Sequence, residues 1–241
     1  MSQKILYIFT RTPLHVGAGA SVGAIDQPIQ RERHTGFPTI PASAIKGSFA
    51  DTWNSALLSD GEKKVRVKKQ KDGENEVLIT SIPAWLFGSD DPGHSFAGAI
   101  RFIDAKLLAF PIRSAKGGFA WVTCPLMLRR AARDGVLKGH DGGQLESTNS
   151  AFAGLSGADG DAGAQFGKDA SIALSPASAN ATPGTTVVLE EYTFKHAGEI
   201  PGGVISGLKA IFPNELVWKE IEERLVILSD GMMSFFCAEL M

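Results

Sequence analysis

The glycines near the N-terminus are spaced in a way that resembles a phosphate-binding loop. Gly17 and Gly19 begin the pattern G-x-G-x-x-x-G, which differs from the G-x-G-x-x-G of a dinucleotide-binding loop. Asp26 and Pro28 follow this pattern instead of the start of a helix, so a pyrophosphate would meet no helix N-terminus. We therefore do not predict a dinucleotide site. From the residues alone, Asp26 is typical of a turn carboxylate close to a proline.

The helix predicted for residues 43–58 places a hydroxyl and a cation in its first turn. Ile45, Phe49 and Trp53 recur at helical spacing and predict one apolar stripe. Ser43 can cap the first amides. Lys46 is unfavourable for the helix dipole at this end, yet a cation beside free helix amides suits a phosphate. Two interpretations stay open: a phosphate-binding lysine, or a solvated lysine on an exposed face.

Both strands and helices are predicted to position these residues. Apolar runs predict strands at 5–9, 99–110, 119–123, 187–194 and 225–228. Helices are predicted after Pro125 with Thr123 as cap, from Asn214, and from Asp230 to Met241. Strand, helix, strand, strand, helix, strand is the order of a ferredoxin-like or RNA-recognition-motif unit. The predicted fold class is therefore α+β.

Two unusual segments interrupt this order. Residues 59–80 form a polar, basic insertion in which Asp72 and Gly73 predict a hairpin turn. Residues 139–171 are rich in glycine, alanine, serine and aspartate. A long stretch without regular structure inside a compact domain suggests a functional loop.

Composition and charge limit the function classes. The chain has 241 residues, of which 44% are hydrophobic and 21% charged, so it is not wholly disordered. Its net charge of −2 argues against a uniformly basic nucleic-acid binder. The charge is nevertheless uneven, because residues 1–140 carry +7 and residues 141–241 carry −9. This asymmetry suggests a face for an anionic ligand, or head-to-tail association of copies.

Cysteine use and hydropathy indicate a compartment. Cys124 and Cys237 lack the spacing of a zinc site or a redox pair, which fits a reduced interior. No apolar run approaches the roughly 20 residues of a membrane helix, and the N-terminus has no signal-peptide pattern. We expect a soluble, cytoplasmic protein with no membrane partner.

Several segments combine into a pattern that is more specific than any one of them. Three long ones are Thr12-Pro13-Leu14-His15-Val16-Gly17-Ala18-Gly19, Ile25-Asp26-Gln27-Pro28-Ile29-Gln30-Arg31, and the run from Phe37 to Gly47. Shorter ones lie at 86–88, 97–100, 110–114 and 189–191. Together they resemble the RAMP superfamily of CRISPR effector proteins, and most closely the repeated backbone subunit of type III-B complexes. The resemblance covers residues 1–130 well and 185–241 loosely.

The resemblance implies a fold and a set of partners. We expect a single RAMP-type domain over residues 1–241, with a modified ferredoxin-like core and a protruding thumb. Residues 139–171 or 195–206 are the candidate thumb segments. In this family the region resembling Leu228 to Asp230 is followed by more chain, so we expect a truncated C-terminus. Copies of the subunit stack in a helical filament along a guide CRISPR RNA, together with other type III-B effector subunits.

The resemblance also implies site residues and a reaction. Asp26 matches an aspartate that catalytic members need to cleave complementary target RNA at regular intervals, with divalent magnesium (Mg2+) as cofactor. It would bind the metal or orient the attacking ribose hydroxyl. His15 is a weaker catalytic candidate, and a structural role for it stays open. Guide-RNA contacts are expected from these residues: Gly17, Gly19, Arg31, Ser43, Lys46 and, less strongly, Arg113.

Three hypotheses follow. The chain is a metal-dependent endoribonuclease subunit, an architectural guide-binding subunit that does not cut, or an unrelated RNA-binding module with a ferredoxin-like fold.

Overall fold

The computed structural model describes residues 3–19, 21–22, 25–26, 28–56, 64–71, 74–89, 95–137, 163–175 and 184–239. These residues form two compact units. Unit 1 comprises Met1–His15, Arg31–Pro38 and Leu107–Met241, and unit 2 comprises Val16–Gln30 and Thr39–Lys106. Helices and strands occur in both units, so the mixed α and β class is confirmed.

The described residues of unit 2 form antiparallel strand pairs and two helices. Its elements are β1 (Ser21–Val22), β2 (Ile25–Asp26), β3 (Thr39–Ile40), α1 (Ala42–Ala56), β4 (Lys64–Lys71), β5 (Glu74–Ser81), α2 (Ile82–Phe87), β6 (Gly88–Ser89), β7 (Phe96–Ala97) and β8 (Ala105–Lys106). The pairs are β1 with β2, β3 with β8, β4 with β5, and β6 with β7. The predicted helix and basic hairpin are both confirmed. Lys71 pairs with Glu74, so the two residues between them, which lie outside the described ranges, connect the strands.

An aromatic cluster holds α1 against the rest of unit 2. Ile45 and Phe87 are buried. The ring of Phe102 lies between those of Phe49 and Phe87, at centroid distances of 5.7 and 6.4 Å. The apolar stripe that the helical spacing predicts is therefore the face that packs.

The described residues of unit 1 form a closed barrel and five helices. The elements are β9 (Phe110–Ser114), β10 (Gly118–Thr123), α3 (Pro125–Arg133), β11 (Gly163–Gln165), β12 (Thr186–Leu189), β13 (Tyr192–Gly198), α4 (Gly202–Lys209), α5 (Leu216–Lys219), α6 (Ile221–Arg224), β14 (Leu225–Ile227) and α7 (Asp230–Glu239). The strand order is β10-β14-β11-β13-β12-β9. The pairs β10·β14 and β11·β13 are parallel. This order does not confirm the predicted ferredoxin-like core.

Strands β10 and β14 bury side chains on both faces. Val122 and Val226 belong to a core that includes Phe236 of α7. Trp121 and Leu225, their alternate neighbours, belong to a second core that contains residues of α3, α4, α5 and α6. Burial on both faces explains why these strands read as continuous apolar runs.

Three predicted strands are wrong. Residues 3–10 contain no strand, and the side chains of Ile5 and Leu6 are 44% and 52% exposed. Residues 101–104 have no regular structure, so the run 99–110 is divided between β8 and β9. The run 187–194 is a hairpin of β12 and β13, with Glu190 at φ 51° in its turn. Strand formation depends on a backbone partner, which an apolar run does not supply.

The cap of α3 comes from a residue distant in sequence, and that of α7 from a neighbouring one. Asp230 Oδ1 accepts a hydrogen bond from the Leu126 amide at 2.9 Å, so this carboxylate caps α3. The Ser229 hydroxyl accepts from the Met232 amide at the start of α7. The predicted capping roles of Thr123 and Asp230 are therefore wrong, since the Thr123 hydroxyl donates to the Leu108 carbonyl instead.

The C-terminal amphipathic helix is interrupted. Glu215 rather than Asn214 precedes the first helical residue, and Glu220 separates α5 from α6. Residues 195–206, one candidate thumb segment, contain the end of β13 and the start of α4, and Ile200 and Val204 are buried. This segment is therefore packed into unit 1 and does not protrude. Of the other candidate segment, residues 139–162 lie outside the described residues. Its end, predicted to lack regular structure, instead contains β11 of the barrel, with Ala164 and Phe166 buried.

Among the residues that the structure describes, no helix is long and apolar enough to cross a membrane.

Candidate RNA-binding and cleavage site

The glycine-rich stretch of unit 2 folds as a hairpin. The Gln30 amide donates to the Val16 carbonyl at 2.8 Å, and the Ala18 amide donates to the Pro28 carbonyl at 2.7 Å. Farther along, β1 pairs with β2, and Asp26 stands opposite Ser21 in the register. Asp26 therefore lies on the return arm of a hairpin, in agreement with the absence of a dinucleotide-binding helix.

The hairpin exposes backbone at its glycines. Gly17 and Gly19 are both exposed. Gly19 has φ 133°, a conformation that favours glycine, and a Cβ built there meets no atom within 4 Å. Bare backbone with open space beside it allows a large ligand to approach closely.

A backbone hydrogen bond joins the hairpin to β3, the strand that precedes α1. The Thr39 amide donates to the Gln30 carbonyl at 3.0 Å. The Thr39 hydroxyl donates to the Ala105 carbonyl at 2.9 Å and adds a side-chain bond to the β3·β8 pair. Gly17, Gly19, Asp26, Ser43 and Lys46 thus all belong to unit 2.

The start of α1 is capped by a residue that the sequence did not indicate. Asp104 Oδ1 accepts a hydrogen bond from the Ala42 amide at 2.8 Å. Ser43 lies one residue inside the helix, so its predicted capping role is wrong. Because a carboxylate already occupies this helix end, a phosphate would depend on the side chains of Ser43, an exposed residue, and Lys46, a half-buried one.

The remaining candidates belong to unit 1. His15 is exposed at the end of the first segment of that unit. Arg31 Nη1 donates to the carbonyls of Gly36 and Cys237, at 3.0 and 2.7 Å. This places the guanidinium at the C-terminal turn of α7, where a cation stabilises unpaired carbonyls. Arg31 therefore has a structural role, and its contact with RNA stays a prediction.

Arg113 lies in the barrel beside the β12–β13 turn. Its Nε is 3.4 Å from Glu190 Oε2, and its side chain is 77% exposed. The Glu190 amide donates to the Arg113 carbonyl at 2.9 Å. The motif segments 110–114 and 189–191 are therefore brought together by strand pairing. An exposed ion pair of this kind contributes little stability, so Arg113 can exchange partners at low cost.

A half-buried ion pair near Arg31 was missing from the sequence prediction. Glu32 Oε2 accepts hydrogen bonds from Arg130 Nη1 at 2.8 Å and from the Thr35 hydroxyl at 2.6 Å. Arg130 Nη2 donates to His34 Nε2 at 2.8 Å. Burial raises the pKa of Glu32, but the bonds from Thr35 and Arg130 outweigh it and lower the pKa overall. This cluster fixes residues 31–38 on α3, and its partners lie too far apart in sequence to be recognised.

Two other motif segments have a packing explanation. Gly88 pairs with Ala97 in β6·β7. A Cβ built on Gly98 would lie 2.5 Å from the Leu86 carbonyl oxygen and 2.6 Å from the Phe87 carbonyl carbon. Segments 86–88 and 97–100 therefore pack backbone against backbone, which only glycine permits at position 98.

The described residues do not form a metal centre by themselves. They contain no group of three or more His, Cys, Asp or Glu side chains that could hold an ion. Magnesium binding at Asp26 stays a prediction, since a carboxylate oxygen is a ligand that magnesium prefers.

Comparison with known proteins identifies the family. A model of the RAMP superfamily matches residues 8–236. The chain is 33% identical over 235 residues to the CRISPR system Cmr endoribonuclease Cmr4 of Pyrococcus furiosus, covering 96% of this chain and 66% of that protein. It therefore spans slightly less than two thirds of the length of this curated relative.

Comparison with solved structures supports the same family. The crystal structure of oligomeric Cmr4 from Pyrococcus furiosus matches with a TM-score of 0.54 at 26% identity, covering 96% of this chain and 70% of that one. A chain of the type III-B Cmr-beta complex bound to cognate target RNA matches with a TM-score of 0.51 at 18% identity, covering 93% and 66%, a likeness of fold alone. With nearly the whole sequence matched by the family model, this chain belongs to the RAMP superfamily.

Proposed function

We propose that the chain is a backbone subunit of a type III-B CRISPR effector complex. It binds guide RNA along a filament of its own copies and cleaves complementary target RNA at regular intervals. The observation that carries this proposal is the placement of Asp26 on a hairpin in the same compact unit as Gly17, Gly19, Ser43 and Lys46. The 33% identity to the Cmr endoribonuclease Cmr4 supports it.

The guide-binding part of the proposal depends on backbone contacts. Lys46 supplies a positive charge, Ser43 a hydroxyl donor, and Gly17 and Gly19 exposed backbone. Contacts of this kind recognise phosphate and ribose and carry no base information. The subunit would therefore accept guides of any sequence.

The cleavage part of the proposal assigns Asp26 to the reaction centre. The ribose 2′-oxygen attacks the adjacent phosphorus and the bond from phosphorus to the 5′-oxygen breaks, which leaves a cyclic phosphate. The hydroxyl loses its proton and the leaving 5′-oxygen gains one. Asp26 orients the attacking hydroxyl in line with the leaving oxygen, since geometry contributes much of the acceleration of such a step. Magnesium, when bound, would neutralise charge on the phosphate.

Beyond the mixed α and β class, we infer a modified ferredoxin-like core with a thumb in the assembled protein. Strands β10 and β14 are parallel neighbours, and each is followed directly by a helix, α3 or α7. Such parallel strands with following helices are part of a split β-α-β arrangement.

The decisive test is Asp26→Asn in an assembled complex with guide and magnesium. Cleavage of complementary target RNA should be lost while guide binding is retained, because the amide keeps the size of the side chain but removes its charge. Asp51→Asn, which changes an exposed aspartate of α1 in the same unit, is the matched control and should cleave normally. Normal cleavage by the Asp26 variant would refute the catalytic assignment.

A second candidate function is an architectural subunit that binds guide RNA without cutting. The candidate guide contacts Ser43 and Lys46 lie on α1 and not on the hairpin that carries Asp26, so guide binding does not require cleavage. Target cleavage in the presence of magnesium distinguishes the two, and chelation with EDTA should abolish that cleavage if the reaction needs magnesium. A complex that never cleaves, with or without magnesium, would support the architectural subunit.

The partners follow from the same proposal. They are guide CRISPR RNA, target RNA, copies of this chain and other type III-B subunits, all in the cytoplasm. Purification from native cells and sequencing of the bound RNA should yield repeat-derived guides of fixed length. Random cellular RNA would instead favour an unrelated RNA-binding module.

A further inference from the structure

The N-terminal segment, residues 5–9, is exposed although each of its residues is aliphatic or aromatic. Its first four residues are 37% to 52% exposed. In the part of the chain that the structure describes, the backbone amides and carbonyls of residues 4–10 form no hydrogen bond. The segment therefore presents apolar side chains and unpaired backbone groups together.

Aromatic contacts hold this segment on unit 1 without strand pairing. The rings of Tyr7 and Phe9 both contact the ring of Phe212, at centroid distances of 6.0 and 5.2 Å. The Tyr7 hydroxyl also donates to the Val136 carbonyl at 3.2 Å. The position of the segment is thus set by its side chains, and its backbone groups stay available to a partner.

The segment lacks the features that keep exposed strands from pairing with other chains. Such features are charged side chains, prolines, bulges or a covering element. Residues 5–9 contain no charged residue and no proline, and the nearest charges are those of Lys4 and Arg11. Isoleucine, tyrosine and phenylalanine are moreover residues that favour strands. We therefore expect another strand to cover this segment.

An extended strand is the partner that fits both features of the segment. Its main chain would bond to the unpaired amides and carbonyls, and its alternate side chains would contact the apolar ones. A helix would contact only the side chains, because its own backbone bonds are already closed. The chemistry of the segment therefore selects a strand of polypeptide.

The segment is complementary to a second copy of itself. In an antiparallel pair centred on Tyr7, Leu6 of one copy stands opposite Ile8 of the other. Every residue of the segment then meets an aliphatic or aromatic residue, which favours cross-strand pairing. Lys4 stands opposite Thr10, so no two like charges face each other within this pair.

We propose that residues 4–10 of two copies of this chain pair as antiparallel strands and form a closed dimer. A two-fold pair uses the same surface on both copies, so the association stops at two chains. This contact involves no RNA and is separate from the proposed guide-bound filament.

Sedimentation velocity of the full chain without RNA tests the proposal, and a concentration series should show a monomer–dimer equilibrium. Leu6→Lys and Ile8→Lys should each raise the dimer dissociation constant by about tenfold or more, because each charge enters the pair twice at an apolar contact. Leu216→Lys changes a residue of the same unit that is 74% exposed, and this control should leave the constant unchanged. All three variants should keep the wild-type Tm, since exposed residues are replaced.

Two further measurements report on the strand pairing itself. In hydrogen exchange, amides of residues 5–9 should exchange slowly in the concentrated dimer and fast in the dilute monomer. A mixture of the Leu6→Cys and Ile8→Cys proteins, oxidised with diamide, should form a disulfide between copies, because these positions stand opposite each other in the proposed register.

Four outcomes would overturn the inference. A wild-type protein that stays monomeric over the whole series would refute the pairing and leave the proposed function intact. Assembly beyond two chains that Leu6→Lys does not weaken would indicate a head-to-tail contact instead. Slow exchange of residues 5–9 at every concentration would show that a strand of the same chain covers the segment. A dimer that Leu216→Lys weakens as strongly as Leu6→Lys would assign the contact to the surface of α5.

Discussion

Gly98→Ala should destabilise unit 2 strongly, although it adds a single methyl group. The new Cβ would lie 2.5, 2.6 and 2.8 Å from backbone atoms of Leu86, Phe87 and Gly88. Carbon atoms in favourable contact are about 3.5 to 4.0 Å apart, so one of the two segments must move by roughly 1 Å. Rotamer changes cannot relieve the overlap, because all three atoms belong to the backbone.

The loss of stability can be worked out from the contacts that this movement disrupts. Overpacking of this kind costs about 1 to 3 kcal/mol. Two hydrogen bonds join the segments, from the Ala99 amide to the Trp85 carbonyl and from the Ile100 amide to the Leu86 carbonyl, at 2.9 and 3.1 Å. Their loss adds about 2 kcal/mol. Alanine restricts the unfolded chain and returns somewhat less than about 1 kcal/mol, which leaves a net loss of roughly 2 to 4 kcal/mol.

Urea unfolding measures this loss. The midpoint should fall by about 1 to 2 M for a slope of roughly 2 kcal/mol per molar urea. Hydrogen exchange followed by mass spectrometry should show faster exchange in peptides over residues 82–102. Gly47→Ala is the matched control, with the same substitution in the same unit, and it should stabilise instead, because a Cβ built on this residue of α1 meets no atom within 4 Å. A change below about 0.5 kcal/mol in Gly98→Ala, the usual effect of a neutral surface substitution, would refute the packing of segment 86–88 on Gly98.

Three further predictions concern the ion pair, a helix cap and the RNA surface. Glu32→Gln should destabilise the protein near pH 7, because the lowered pKa of Glu32 means that its charged form is stabilised in the fold. That contribution is present above the unfolded pKa of about 4.3 and is lost as pH falls through the folded pKa, so wild type and variant should converge in acid thermal melts. Asp230→Ala should lower stability by about 1 kcal/mol through the exposed amide of Leu126, and an equal stability in chemical denaturation would contradict this cap. Lys46→Glu should weaken RNA binding at all sequences and reduce its salt dependence, and an unchanged salt titration would remove Lys46 from the site.

Short sequence patterns were sufficient to predict the elements whose backbone hydrogen bonds join residues close together in the chain. The apolar stripe of Ile45, Phe49 and Trp53 predicted α1 because a helix closes its own backbone bonds. The pair Asp72-Gly73 predicted the β4–β5 hairpin because a two-residue turn determines the register of the strands it joins. Pro125 predicted the start of α3 because its fixed φ suits the first position of a helix.

Several of the wrong predictions involve partners that are distant in the chain. The apolar run at Ile5 and Leu6 reads as a buried strand, yet these side chains are 44% and 52% exposed. The carboxylates that cap α1 and α3, Asp104 and Asp230, are 62 and 104 residues away from the amides they bind. No spacing rule connects such residues, because only tertiary folding brings them together.

The features of the candidate site also fall into those that the sequence predicts and those that depend on the folded chain. The sequence by itself determined the family, the glycine-rich stretch around Gly17, Asp26 as the candidate for cleavage, and Lys46 as a cation near a helix start. Only the tertiary structure decided that Arg31 binds the C-terminal turn of α7 and that Asp104 occupies the end of α1. Residue type sets what a side chain can do chemically, whereas the partners that compete for it are determined by the folded chain.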